Sequence, residues 1–341
     1  MVQHSATMEN LENNATDCFP IDEFTNRYYL PAMYGIICVV GLTGNLTALV
    51  IYLTKLRPWK SSSIIMVNLA VADLLYALSL PMLVQFYITK NWTLGEFMCR
   101  FIRFCFHFNL YGSILFLTCL SIFRYIAVVH PLKAAQISRK RWGVLACLTV
   151  WIVSLLEIGP MLGMITELRT GNVTQCVDFA SNDPKEVWWY GWILTVFGYA
   201  MPLVMVCWSY SHIASTLSNS ISRHRRSSSR ARSLAILILA VFVVCFLPYH
   251  IMRVLRVNSL RRIGMSCTWK RSINTAYILS RPLAGLNTFF NLALYTLAGD
   301  KFQQAFWSFV HRGTHMNSTI AVIHTPYNMS KSDLLRSEYI V

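Results

Sequence analysis

Hydrophobic positions in this chain neither alternate nor recur as a one-sided stripe; they run together in long blocks. Seven stretches, Leu30 to Leu53, Ile64 to Ile88, Phe101 to Val129, Trp142 to Ile165, Trp188 to Tyr210, Leu234 to Met252 and Ile273 to Leu297, are apolar nearly throughout. Each is close to the ~20 residues that cross about 30 Å of hydrocarbon. Backbone polar groups cannot stay unpaired in lipid, so spans of this length must be helices, and they are too long and continuous for barrel strands. The predicted fold is all-α, a seven-transmembrane helix bundle. After the seventh span, Gly299 and Asp300 read as a stop and an N-cap. Phe302, Phe306, Phe309 and Val310 then repeat at helical spacing, which predicts a short amphipathic interfacial helix on the membrane surface. The chain thus divides into an N-terminal tail over 1–28, a bundle over 29–298, the interfacial helix over 299–311 and a polar tail over 312–341 expected to be disordered.

Composition agrees: 55% of the 341 residues are hydrophobic and 13% charged, a balance that no water-facing globule of this size shows. The net charge of +15 comes from loops rather than from a nucleic-acid-binding face. Lys55, Arg57 and Lys60 follow the first span; Lys133, Arg139, Lys140 and Arg141 the third; Arg223, Arg225, Arg226, Arg230 and Arg232 the fifth, with no acid in any of the three segments. By the positive-inside rule these loops are cytoplasmic and the N-terminus lies outside the plasma membrane. The acidic tail, with Glu9, Glu12, Asp17, Asp22 and Glu23, fits that side. Asn14, Asn91 and Asn172 head Asn-x-Thr triplets there and are candidate glycosylation sites. The first 28 residues lack an apolar core, so the first span is expected to act as its own signal anchor.

The ten cysteines divide by depth. Cys38, Cys105, Cys119, Cys147, Cys207 and Cys245 lie within spans and read as small hydrophobes. Cys18, Cys99, Cys176 and Cys267 fall on the outer side, where two disulfides are expected and the sequence allows three pairings. The outer loops also hold an unexpected surplus of cations: Arg253, Arg256, Arg261, Arg262, Lys270, Arg271 and Arg281 follow Met252 with no acid among them. Arg281 sits about two turns inside an apolar helix. Arg103 lies one turn beyond Cys99, and His107 four residues later shares its face. Inward arginines in a bundle need an anion. Asp178 and Glu157 are the protein acids near enough in sequence to the outer half to answer them.

Motifs then fall in order along the spans: Gly44-Asn45, Leu69 to Asp73, Cys99 and Arg124 bounding the third, Trp151, Pro202 with Tyr210, Cys245 to Pro248, and Asn291 with Tyr295. From about Tyr28 to Val310 the chain resembles a rhodopsin-like G-protein-coupled receptor. That resemblance implies that Arg124 is the cytoplasmic switch arginine, joined on activation by Tyr210 and Tyr295, with Phe242, Phe246 and Pro248 relaying motion along the sixth helix. It also places Asn109, Ser113, Asn287 and Asn291 around Asp73, as hard oxygens for a sodium ion or as a packing network around a protonated carboxyl. Three positions depart from the family: Phe123 stands where an acid usually pairs with the arginine, Phe246 replaces a tryptophan, and Leu292 replaces a proline, which predicts a weaker kink in the seventh helix.

Within the family, the chain is similar to the purinergic-receptor-like branch, which implies disulfides Cys18 to Cys267 and Cys99 to Cys176. Phe104 to Tyr125, His250 to Val257 and Tyr277 to Tyr295 resemble a dicarboxylate-sensing member of that branch. The likeness implies a clamp of Arg103, His107, Arg253 and Arg281 on a small dicarboxylate, walled by Tyr34, Tyr87, Tyr111, Arg256 and Tyr277. It further implies a heterotrimeric G protein as partner, Gq first and Gi second, with arrestin and a receptor kinase. A nucleotide or a cysteinyl leukotriene would use the same arginines. An organic-anion transporter would too, but the chain shows no internal repeat. No zinc-binding helix motif or paired intramembrane aspartates point to an enzyme.

Overall fold

The computed structural model of the chain describes residues 24–171, 173–178, 184–219, 225–262, 264–298 and 302–308. Six of the expected spans are helices long and apolar enough to cross a bilayer. They are α1 (Thr25–Thr54), α2 (Ser61–Thr89), α3 (Gly95–Val129), α4 (Lys140–Met164), α5 and α6. The last two are each interrupted by a π-helical turn. In α5, Pro184–Thr195 passes through Val196–Ala200 into Met201–Asn219; in α6, Arg225–Ala240 passes through Val241–Phe246 into Leu247–Arg261. The helices outrun the hydropathy boundaries because their polar ends project beyond the apolar slab: α3 begins at Gly95 rather than at Phe101.

The seventh span corrects the expectation of one helix from Ile273 to Leu297. It is divided into α7 (Cys267–Gly285) and α8 (Asn287–Ala298). At the break, the Leu286 N–H bonds the carbonyls of Pro282 (3.0 Å) and Leu283 (3.1 Å), tightening the turn. Pro282, within α7, has no N–H to continue the ladder. Leu292, where a weaker kink was anticipated, lies inside α8, so the discontinuity is present but about one and a half turns earlier along the chain.

The bundle is arranged for lipid. Leu156 on its outer surface is 72% exposed, whereas Asp73 in its interior is 0% exposed, which reverses the polarity of a soluble globule. Helix α3 runs through the middle, packed on α2, α4, α5 and α7. Polar side chains tie the helices internally: Trp151 Nε1 donates to Asn68 Oδ1 (2.9 Å), and the Tyr295 hydroxyl to Asn45 Oδ1 (3.0 Å). Of the six cysteines within spans, all are free thiols, and Cys207 faces outward rather than into the core.

Between α4 and α5 lies an antiparallel hairpin, β1 (Thr166–Thr170) with β2 (Val173–Val177), in a register that pairs Glu167 with Cys176. Gly171 makes the turn at φ +61°, a conformation that favours glycine. A disulfide joins Cys176 to Cys99 near the start of α3, with Cα atoms 5.6 Å apart, and so lays the hairpin across one end of the bundle. Cys267 is also disulfide-bonded; Cys18, the partner implied by resemblance, lies outside the described residues. So do Asn14, Asn172, the 1–23 portion of the tail, and Gly299, Asp300, Phe309 and Val310. A helix, α9, is described over 302–308. Phe302 anchors it, 4% exposed and 5.2 Å from the Tyr52 ring.

Helix α4 approaches α2 so closely that a Cβ on Gly143 would lie 2.6 Å from Ser61 Cα and 2.9 Å from its carbonyl oxygen. Backbone cannot yield as a flexible side chain does. Gly143→Ala is therefore expected to destabilise the purified protein by about 2 kcal/mol, read as a lowered Tm in detergent.

Candidate ligand-binding site

At the hairpin end of the bundle, α2, α3, α6, α7 and β2 surround a cavity of about 250 Å³. The disulfide makes this site possible. By holding β2 on α3 it brings the Cys176 carbonyl within 2.9 Å of Arg103 Nη2, and it drops Asp178, two residues on, over the mouth of the bundle. Four cations line the cavity, Lys90, Arg103, Arg256 and Arg281, against one acid among the described residues, Asp178.

The central contact is an ion pair. Arg281 Nη2 donates to Asp178 Oδ2 at 2.7 Å, with 9% and 4% of the two side chains exposed. Tyr277 donates its hydroxyl to the same oxygen (3.4 Å), and Arg281 Nη1 reaches the Tyr87 hydroxyl (3.4 Å). The Tyr277 ring carries two guanidiniums, with Arg256 4.8 Å and Arg281 5.6 Å from its centroid. Burial by itself would raise the Asp178 carboxyl; Arg281, followed by His107, Arg103 and Arg256, reverses the sign and holds it well below the usual carboxylate range. Of the two acids that the sequence offered to the inward arginines, Asp178 and Glu157, the fold brings Asp178 to Arg281. It was legible as a named acid after Cys176 but not as a contact, because the hairpin that delivers it is set by tertiary pairing.

Five of the nine residues expected at the ligand line the cavity: Arg103, Arg281, Arg256, Tyr87 and Tyr277. The other four form a layer that does not line it. His107 Nδ1 faces the Arg103 carbonyl (2.8 Å), so that nitrogen carries the proton and Nε2, 3.2 Å from the Tyr249 hydroxyl, accepts. Arg253 is fully buried. It donates to the Tyr111 hydroxyl, to Thr195 Oγ1 (2.9 Å) and to the Gly191 carbonyl (3.2 Å), and lies 5.5 Å from the centre of the Tyr249 ring. Tyr34 stacks behind Tyr87, centroids 6.0 Å apart. The physical reason is depth: Arg253 sits one turn below Arg256 and points at α5, and His107 one turn below Arg103. Sequence reasoning missed Lys90, Gln175 and Asn274 on the lining; Lys90 falls just beyond the second apolar stretch, where hydropathy carries no signal.

The chain matches the sequence profile described as "7 transmembrane receptor (rhodopsin family)" over residues 44–295. It belongs to that family. Its members are receptors rather than enzymes, and the chain is a multi-pass membrane protein of that kind. It is 51% identical over 284 residues to 2-oxoglutarate receptor 1 of Rattus norvegicus, covering 83% of this chain and 84% of that one. It is 38% identical over 292 residues to succinate receptor 1 of the same species, covering 84% and 92%. It is 36% identical over 313 residues to a purinoceptor of Mus musculus, covering 89% and 85%. The resemblance read from the motifs therefore holds, and with it the separation from transporters.

Two further polar groups of this receptor lie deeper. Asp73 accepts from Asn109 Nδ2 (2.7 Å), Asn291 Nδ2 (2.9 Å) and Thr288 Oγ1 (3.3 Å), the last a neighbour that the sequence did not suggest. Ser113 Oγ and Asn291 Oδ1 are buried without a hydrogen-bond partner. At the opposite end from the cavity, Arg124 is half-buried. The Tyr210 hydroxyl is engaged with Ser121 Oγ (3.4 Å) and that of Tyr295 with Asn45. Phe242 and Phe246 meet edge to face at 5.7 Å inside the π turn, which ends two residues before Pro248. Glu157 presents a buried Oε2 without a hydrogen-bond partner and accepts at its carbonyl from Tyr190; it contributes nothing to the cavity lining.

Breaking the Arg281–Asp178 pair from one side leaves a buried charge, so Asp178→Asn is expected to destabilise the receptor by about 3 kcal/mol at neutral pH. A carboxyl whose pKa is lowered by folding contributes stability in full above its unfolded pKa of about 4, and loses it as pH falls below that toward the folded value. Thermal unfolding of wild type and variant should differ equally at about pH 7 and about pH 5. A gap that closes between those two values would contradict the assignment.

Proposed function

We propose that the receptor stands in the plasma membrane with its N-terminus and hairpin outside, and that a small dicarboxylate such as 2-oxoglutarate activates it from the cavity. The orientation rests on the basic, acid-free segments after the first, third and fifth spans. The observation that carries the ligand reading is the cavity's lining of four cations around one carboxylate. Its support from similarity is that two relatives bear the names 2-oxoglutarate receptor 1 and succinate receptor 1. Planar guanidiniums bind carboxylates in bidentate fashion, and Arg103 Nε and Arg281 Nε are buried donors without a hydrogen-bond partner.

In this reading Asp178 occupies Arg281 as an internal carboxylate until the ligand's own displaces or joins it. A diacid held by Arg103 on α3, Arg256 on α6 and Arg281 on α7 binds a contracted outer half more tightly than an open one, and that difference shifts the population. Arg253 and His107 serve as the supporting layer that passes the movement down through Tyr249 and Tyr111 to Phe242 and Phe246. The π turn at Val241–Phe246 is the natural place for α6 to pivot. Outward movement of α6 exposes Arg124, with Tyr210 and Tyr295 released toward it, to a heterotrimeric G protein, Gq first and Gi second; arrestin and a receptor kinase follow. Asp73, Ser113 Oγ and Asn291 Oδ1 offer hard oxygens suited to a sodium ion that would favour the resting packing.

A panel of organic acids and nucleotides on cells expressing the chain, read as inositol phosphate or calcium, tests this. 2-Oxoglutarate is expected to evoke the response, and Arg281→Ala to weaken it about a hundredfold, equivalent to about 3 kcal/mol. Response to nucleotides alone, or undiminished potency in Arg281→Ala at normal surface expression, would refute the reading.

A further inference from the structure

The part of the cavity wall that α7 supplies is a single helical face. Asn274, Tyr277, Ile278 and Arg281 all line the cavity, at i, i+3, i+4 and i+7. Arg281 is paired with Asp178, and Tyr277 donates to the same carboxylate while its ring lies under two guanidiniums. Asn274 differs. It is half-buried, and its amide has no hydrogen-bond partner among the described residues. A primary amide offers two N–H donors and an acceptor without charge, and withdrawing those groups from water costs free energy unless something at the site bonds them.

Position sets what this amide can meet. Seven residues at 1.5 Å rise put Asn274 about 10 Å from Arg281 along the helix axis. One turn separates it from Tyr277, over whose ring the Arg256 guanidinium lies at 4.8 Å. A five-carbon diacid with one carboxylate on Arg281 covers that interval when hydrogen bonds of about 2.9 Å are added at either end. Its second carboxylate then falls to Arg256 and the carbon beside that carboxylate to Asn274. The arginines answer charge, and charge is the same in every diacid of this length. A neutral donor beside the second carbon discriminates among them. The other amides on the lining, Asn26 at the start of α1 and the exposed Gln175 on β2, stand off this face.

We propose that Asn274 is a specificity-determining residue, donating from Nδ2 to an oxo group on the second carbon of the diacid, so that the receptor selects 2-oxo diacids over unsubstituted ones. This rests on the dicarboxylate reading above and assigns the part of the ligand that the arginines do not read. A hydrogen-bond donor placed for a substrate oxygen penalises the analogue that lacks it, because the buried amide is then left unpaired.

Pentanedioate and its 2-oxo and 2-hydroxy derivatives are matched probes that differ at that one carbon. On cells expressing the full chain, the 2-oxo acid is expected to act at about tenfold lower concentration than pentanedioate. Asn274→Ala at normal surface expression should bring those two potencies within about twofold of each other. Asn274→Asp keeps the shape and exchanges the donor for acceptors. It should shift the ratio of 2-oxo to 2-hydroxy potency toward the hydroxy acid, since a hydroxyl donates to a carboxylate and a carbonyl cannot. Equal potency of the 2-oxo acid and pentanedioate in wild type, or a preference for the 2-oxo acid retained in Asn274→Ala, overturns this proposal and leaves the dicarboxylate reading standing. Silence of the wild type to all three acids overturns the two together.

Discussion

A guanidinium inside a lipid-embedded bundle is stable only if something nearby answers its charge, and the cavity end of this receptor is arranged around that requirement. Arg281 enters the bundle on α7, where its side chain is buried. It is met by Asp178 at 2.7 Å, by the Tyr87 hydroxyl and by the face of Tyr277. These partners come from the hairpin, from α2 and from α7 itself, so the pair works as a keystone between the three. The Cys99–Cys176 disulfide is what allows it, because Asp178 is close to Arg281 only while β2 lies on α3. Among the described residues, the cations that line the cavity outnumber its one carboxylate, which is what supports the proposed anionic ligand.

Below the cavity the polar layer is closed rather than open. Arg253, the most voluminous of the fully buried side chains, is held by neutral acceptors on α3 and α5 and by the ring of Tyr249. Its three-residue separation from Arg256 gives these two arginines of α6 different tasks, one turned into the protein and the other lining the cavity. From this layer the contacts continue without a gap. Tyr199 stacks on His250 at 4.5 Å and donates to the Phe242 carbonyl at 3.1 Å, linking the π turn of α5 to that of α6. A π turn leaves the backbone ladder locally loosened, so the two helices are joined at the places where each is easiest to deform. In the proposed mechanism, this is the route by which displacement of α6 at the cavity end reaches the opposite end of the bundle, where α3 bears Arg124.

Seven apolar blocks dictated a helical membrane bundle, because lipid leaves a long apolar segment no other way to satisfy its backbone. The order of short motifs was enough to place Asp73, Arg124, Asn291 and Tyr295 within a receptor family that the profile match then established. The excess of arginines was likewise visible as composition, and Arg103, Arg256 and Arg281 do line one cavity. Periodicity and segment charge are local properties of a chain, and so they could be read from it directly.

What faces what could not. The split of the seventh span at Leu286, the turning of Arg253 and His107 away from the cavity, and the arrival of Thr288 at Asp73 depend on which neighbour each helix face meets. Lys90 and Asp178 lie outside the apolar blocks, where hydropathy assigns no position; a disulfide and a two-stranded hairpin carry them to the same cavity. The order of residues alone dictated that charges would be buried, and in what kind of solvent. Which partner neutralises each was left to the folded arrangement, because that choice is made across elements distant in the chain, by contacts a few ångströms long.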